Sequence, residues 1–458
     1  MNTKENKLTK KHLIGYTFGD LGECMTFSIM GSFLTRYYIN VAMVDTAVLA
    51  MLNLVWKIAD AAASPIIGMY VDKMYAKKKY KSGKFRTWML RMTPLLAIVS
   101  IIIFTAPNYL EGMSKLVVIF VSYLSYEFIY GLFNIPYTSL LAAMSKNEDE
   151  RAQLSSARGI GGMCGSMIPS IMFPIIISVF EKNPQLGYAA GVTICAAIGF
   201  VFCMISYFFT EERCGDAVKE EVSDSSFTDI FEVIQKNRAF LALAIHGVFQ
   251  GITQAINMSM GTYMFSDVLG NLALMSISSI CILPFTGAAL IFSPQLVKKM
   301  GTMKLIRSGL VIGSGIYVVL FVMHVLTNVN PMVHILMSSV GAMFTGVGTM
   351  MQWGLVGEAI DYNEYLLGKR SEGAITGTFT MLRRLGQAIG TSGSVALLGI
   401  IGYDAALSNA GMVQSASTVL GIKVLCVLVP AIVTMGSWAV FKYIWNITPE
   451  LKVKMMEK

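Results

Sequence analysis

With 458 residues, of which 54% are hydrophobic and only 14% charged, the chain lies far from soluble domains, where charged residues make up about 25%. Its apolar runs are continuous rather than alternating, which excludes a membrane β-barrel and leaves helices that satisfy their own backbone polar groups in lipid. A net charge of +8 would suit nucleic acid. However, Lys and Arg gather in alternate loops, the pattern that orients membrane helices, so the expected partners are a bilayer and a small solute, with no nucleic acid.

In chain order, residues 1–11 are polar and basic, and the run behind them is too long for a cleaved signal, so a retained first helix is expected. At about 20 apolar residues per crossing, spans are predicted at 12–39, 46–71, 88–107, 114–143, 155–180 and 186–209. Residues 211–237 are polar and of mixed charge and are expected to form a cytoplasmic linker. A second set of spans follows at 238–265, 272–297, 303–326, 331–360, 374–402 and 418–445. The predicted fold class is an all-α membrane protein of about twelve transmembrane helices. These form two pseudo-symmetric six-helix bundles, residues 1–210 and 238–458, the second ending in a short cytoplasmic tail. Basic residues at the amino terminus, in 73–86, in 298–307, at Lys369 and Arg370 and in the tail place both termini in the cytoplasm. The seven cysteines show neither a disulfide framework nor metal-ligand spacing.

Several spans carry ionisable residues, and a charge at the bilayer centre costs about 2.5–3.5 kcal/mol even on a lenient scale. Such residues belong on a solute or ion path. In secondary transporters built from two such halves, the solute sits near the midplane at the repeat interface. On the first span, Asp20 and Glu23 are three apart and leave one helical face. Lys57 and Asp60 repeat that spacing on the second span, followed by Ser64, and an intrahelical ion pair is one option for them. The fourth span carries a polar stripe of Tyr123, Glu127, Tyr130, Asn134 and Thr138. If Glu127 and Asp60 meet beside Lys57, their protonation would respond to solute binding. A sodium site would need several hard oxygen ligands, and Ala61, Ala62 and Ala63 offer none. Another stripe, His246, Gln250, Gln254 and Asn257, occupies the seventh span, with Arg383, Arg384 and Gln387 on the eleventh. Amides donate and accept at once and suit hydroxyl-rich solutes. Arg158 precedes Gly159, Gly161, Gly162 and Gly165, and Arg384 precedes Gly386, Gly390 and Gly393, a spacing that brings helix backbones close. The expected cytoplasmic gate comprises Asp72, Lys73, Arg86, Asp361, Glu364 and Arg370.

The segments GYTFGDLGE (15–23), WKIADAAASPIIG (56–68), SGKFRTWML (82–90), YGLFNIPYTSL (130–140) and DYNEYLLGKRSEG (361–373) resemble the glycoside/pentoside/hexuronide:cation symporters of the major facilitator superfamily. The likeness runs nearly the full length. It implies sugar uptake coupled to sodium, lithium or protons. By resemblance, Asp20 matches the family's first-helix sugar acid, Arg158 its fifth-helix arginine, Arg384 its eleventh-helix basic position and Asp60 one acid of its cation site. The chain departs from melibiose permease-like members at Ala63 and Ser64, which replace an asparagine and a second aspartate, at Gly131, which replaces a threonine ligand, and at Asn134, which replaces a sugar-binding aspartate. These changes favour H+ over Na+, with Glu127 joining Lys57 and Asp60 in a rearranged coupling site.

The expected function is therefore a non-enzymatic secondary transporter of the cell membrane. It takes up a glycoside or related sugar, a hexuronide among the options, by alternating access. It is expected to act as a monomer, with no cofactor and no metal. The expected substrate-binding residues are Asp20, Glu23, Tyr130, Asn134, Thr138, Arg158, Gln254 and Arg384, and the expected coupling residues are Lys57, Asp60, Ser64 and Glu127. An uncoupled facilitator or an exporter is the alternative. A membrane-embedded enzyme would need clustered metal-binding acids, which the second span lacks, and no ATP-binding motif points to a primary pump.

Overall fold

A computed structural model describes residues 8–77, 83–145, 148–180, 182–213, 235–368 and 372–456. All regular structure among these residues is helical. In the first part of the chain the helices are α1 (Lys10–Arg36), α2 (Thr46–Lys77), α3 (Arg86–Thr105), α4 (Gly112–Met144), α5 (Glu148–Val179) and α6 (Pro184–Phe209). The second part contains α7 (Arg238–Tyr263), α8 (Leu274–Met300), α9 (Thr302–Leu326), α10 (Pro331–Leu367) and α11 (Glu372–Ile400). A short α12 (Ala405–Asn409) follows. Then come α13 (Ala416–Lys423) and α14 (Val429–Tyr443), joined by a π-helical turn at Val424–Leu428, and finally α15 (Pro449–Met456).

Local chemistry sets these boundaries. Thr9, Asn183, Asn237 and Asn330 accept backbone N–H groups at the starts of α1, α6, α7 and α10, with proline in the first turn of α6 and α10. Gly301 and Gly368 end α8 and α10 at φ of 82° and 67°, where a side chain would be strained. Among the described residues, nine helical segments are long and apolar enough to cross a membrane. α1 and α11 are not among them, because Asp20, Glu23, Arg383 and Arg384 interrupt their apolar stretches.

The described residues fall into two compact units, Met1–Glu220 and Glu221–Lys458. Within the first, α1 packs on α5 and α6, α3 on α4 and α6, and α2 on α4. The second repeats that scheme: α7 packs on α11 and α14, α9 on α10 and α14, and α8 on α10. Both α1 and α7 run on into a π-helical turn, Tyr37–Val41 and Met264–Val268. Most of the expected linker, residues 214–234, lies outside the described residues, as does Arg370.

The glycines seen in the sequence form the closest seams. A methyl group at Gly161 or Gly165 would strike the α1 carbonyls of Thr17 or Leu21. One at Gly386 or Gly390 would strike the α7 carbonyls of Val248 or Ile252. Gly159 and Gly393 border open space instead, so only part of each glycine row is needed for packing.

Candidate functional site

In the first unit, Asp20 and Glu23 leave one face of α1 and both are buried. Arg158 on α5 pairs with Asp20, Nε to Oδ1 at 3.1 Å. The same guanidinium lies over the Tyr137 ring, 5.6 Å from its centroid, where the ring quadrupole attracts a cation. Tyr137 is held in turn by stacking on Tyr16 at 4.8 Å and by donating its hydroxyl to the Tyr16 carbonyl. Glu23 is 1% exposed, and its Oε1 accepts a hydrogen bond from Asn134 Nδ2 on α4 at 2.5 Å. Space for this arrangement comes from Gly162, where a methyl group would meet the Asp20 carboxylate.

A second ion pair joins α2 to α4. Lys57 Nζ lies 2.9 Å from Glu127 Oε1, and its ammonium faces the Tyr123 ring at 5.9 Å. Lys57 therefore bonds across to the next helix, with half-buried Asp60 within electrostatic reach on its own helix. Ser64 is one turn further along α2, and its side chain is outside the described residues. Tyr130 sits in an aromatic row with Tyr126 at 5.9 Å and Phe27 at 5.7 Å, while Thr138 is exposed one turn beyond Asn134. The α4 stripe thus serves two neighbours, α1 through Asn134 and α2 through Glu127.

The second unit holds different chemistry. Gln387 Nε2 donates to Gln254 Oε1 at 2.9 Å across the α7–α11 seam, and Gln250 donates to Thr349 at 2.6 Å. Arg383 and Arg384 follow one another on α11, both half-buried. His246 packs on Phe441 at 4.8 Å, and among the described residues neither ring nitrogen has a hydrogen-bond partner. Two cavities within this unit, of about 450 and 230 Å³, are lined by neither Gln254 nor Arg384.

Of the expected gate, Asp72 and Lys73 lie on α2 with side chains outside the described residues, and Asp361 and Glu364 are exposed on α10. Arg86 donates to the Tyr207 carbonyl at 2.6 Å and stacks over that ring. Sequence reasoning missed the acid at this corner, Glu212. Its carboxylate accepts the backbone N–H groups of Lys84, Phe85 and Arg86 at 2.8, 2.7 and 2.9 Å, satisfying the free donors at the start of α3. Nearby, Glu150 accepts from Ser145 Oγ, from the Leu8 N–H and from Arg213, which holds its carboxyl below the usual carboxylate range. Glu211, Glu212 and Arg213 in sequence were the only hint. His324 and His334 form a further unanticipated pair, Nε2 to Nδ1 at 2.9 Å, beside the α9–α10 turn.

Among the described residues, one group has metal-ligand proximity: Asp20, Glu23 and Cys24, whose ligand atoms lie within 4.8 Å of one another. Two carboxylates and a thiol are a poor set for a hard cation, which takes six or more oxygens.

The sequence profile of the MFS/sugar transport proteins matches residues 15–447. The chain belongs to this family. Along with the family, the multi-pass membrane architecture, the major facilitator fold and sugar transport are established for it. Among relatives of this MFS/sugar transport protein, the uncharacterized symporter YjmB of Bacillus subtilis (strain 168) is 30% identical over 99% of the chain and 96% of its own length. The glucuronide carrier protein homolog of Escherichia coli (strain K12) is 28% identical over 93% of the chain and 90% of its own length. In fold, the chain is similar to the nucleoside transporter NupG, with a TM-score of 0.60 and 15% identity, covering 95% of this chain and all of that one.

Proposed function

We propose that this sugar transporter carries an anionic glycoside of the hexuronide class into the cell, in symport with protons, by alternating access with both termini cytoplasmic. The observation that carries the anionic preference is the Arg383–Arg384 pair. Two adjacent guanidinium groups on one membrane helix, both only half-buried, repel one another, and the carboxylate of a solute would offset that repulsion with bidentate geometry. The Gln254–Gln387 amide pair, which joins α7 to that helix, suits the hydroxyls of a sugar ring. The relative named as a glucuronide carrier homolog points the same way. Coupling to protons is supported by the buried carboxyl groups of the first unit and by the three alanines that follow Asp60 in sequence, which bring no hard ligand.

The test uses proteoliposomes and two probes, an aryl β-glucuronide and the matching neutral aryl glucoside. The expected outcome is accumulation of the glucuronide above equilibrium under an inwardly directed proton gradient and not under a sodium gradient. Arg384→Gln should weaken glucuronide transport about 10- to 100-fold, the equivalent of one charged hydrogen bond of about 1.5–3 kcal/mol. Equal preference for the neutral probe would overturn the anionic assignment. Downhill movement unaffected by pH would make the protein an uncoupled facilitator.

A further inference from the structure

We propose that the symported proton binds at Glu23, in the contact between Glu23 and Asp20 on α1, rather than at Glu127 on α4. This deepens the proton-coupled reading above and rests on it.

The inference starts from counting charge. Asp20 and Glu23 bring two carboxyl groups together within 4.8 Å. The titratable or charged groups around Glu23 are Asp20, Cys24 and Tyr16 from α1, Tyr130 and Tyr137 from α4, Arg158 from α5 and Cys203 from α6. Arg158 is the one cation among them, and its Nε is bonded to Asp20. Two carboxylates beside one guanidinium leave a net negative charge in a buried place. Like charges so close cannot both ionise cheaply, and one proton shared by the pair removes the imbalance.

Independent of the count is the state of the Glu23 oxygens. Oε1 receives the Asn134 amide. Oε2 is fully buried, and among the described residues it has no hydrogen-bond partner. Its neighbour in the cluster is the other carboxyl group, which has no hydrogen to give unless one of the two is protonated. A proton supplies that missing hydrogen bond. A metal ion would find two carboxylates and a soft thiol, too few hard oxygens, whereas a proton needs only the oxygen pair. Asn134 fits the task as well, since an amide can donate to the ionised form of Glu23 or, turned over, accept from the protonated one. Glu127 differs on each point. The Lys57 ammonium at 2.9 Å balances its charge and supplies its hydrogen bond, so no proton is required there.

The test is infrared titration of purified, detergent-solubilised protein without substrate, following the C=O stretch of protonated carboxyl groups at neutral pH. The expected result is a band present in wild type and in Glu127→Gln but absent from Glu23→Gln. Should Glu23→Gln not fold, Asp20→Asn serves instead: with one carboxylate left beside Arg158, Glu23 ionises and the band is lost. A band that survives in Glu23→Gln, or that is lost in Glu127→Gln, overturns the assignment. Wild-type accumulation under a proton gradient is measured in parallel with the aryl β-glucuronide. A Glu23-dependent band without gradient-driven accumulation would sink the coupled reading and the carrier role with it. Accumulation with a band insensitive to Glu23 would sink the site alone.

Discussion

The two units share a packing plan and differ in what they place on it. In the first, the α1–α5 seam surrounds a carboxylate pair and a single arginine, and an adjacent helix pair holds a lysine against a glutamate. In the second, the corresponding α7–α11 seam holds an amide pair, and α11 carries two neighbouring arginines. The glycine contacts are alike in both, because close backbone approach depends on the absence of a side chain and not on charge. The lesson is that the scaffold repeats while the chemistry divides: carboxylates with fewer cations beside them in one unit, adjacent arginines and an amide pair in the other.

The largest effect expected from breaking this contrast is at Lys57. Removing the lysine alone leaves Glu127 as an unpaired buried charge, so Lys57→Met should cost about 3–5 kcal/mol. Lys57→Met combined with Glu127→Leu should recover most of that loss, as read by thermal unfolding in detergent. A double variant as unstable as the single one would show that the pair does more than neutralise itself. A smaller effect should sharpen the likeness between the seams. Gly161→Ala and Gly386→Ala should each destabilise by about 1–3 kcal/mol through overpacking. Gly159→Ala and Gly393→Ala, with open space beside them, should stabilise by about 0.5–1 kcal/mol. Equal behaviour of all four would refute the seam.

The smallest effect lies at Glu150, whose lowered pKa in the folded protein means that its contribution is present above the ordinary carboxylate range and is lost as pH falls through the folded value. Glu150→Gln should therefore unfold slightly earlier than wild type at neutral pH. The two should converge in acid, as a pH series of melting curves would reveal.

Much of the fold was legible because apolar length and capping residues act locally. The expected spans and the helices differ mostly at their ends, as where α5 starts at Glu148 and α10 runs to Leu367. The polar stripe on α4 was equally readable from its spacing of three and four. What the spacing could not assign was the partner of each residue. Asn134, expected to touch sugar, also reaches Glu23, which is 111 residues away in sequence. Lys57 had a carboxylate three residues away on its own helix and bonded to one 70 residues away. Periodicity states which face is polar, whereas the identity of the opposing helix comes from tertiary packing. Glu212 stayed hidden for the same reason, since its three donors lie 126 to 128 residues earlier.

That Glu212 clasp has a practical consequence. Because α6 ends at Phe209, only Thr210 and Glu211 separate it from the carboxylate that closes the start of α3. Chain length here is a fixed spacer. A fluorescent tag or epitope inserted between Phe209 and Glu212 would drag the anion off three amide hydrogens at once, whereas one placed after Arg213 leaves the knot tied.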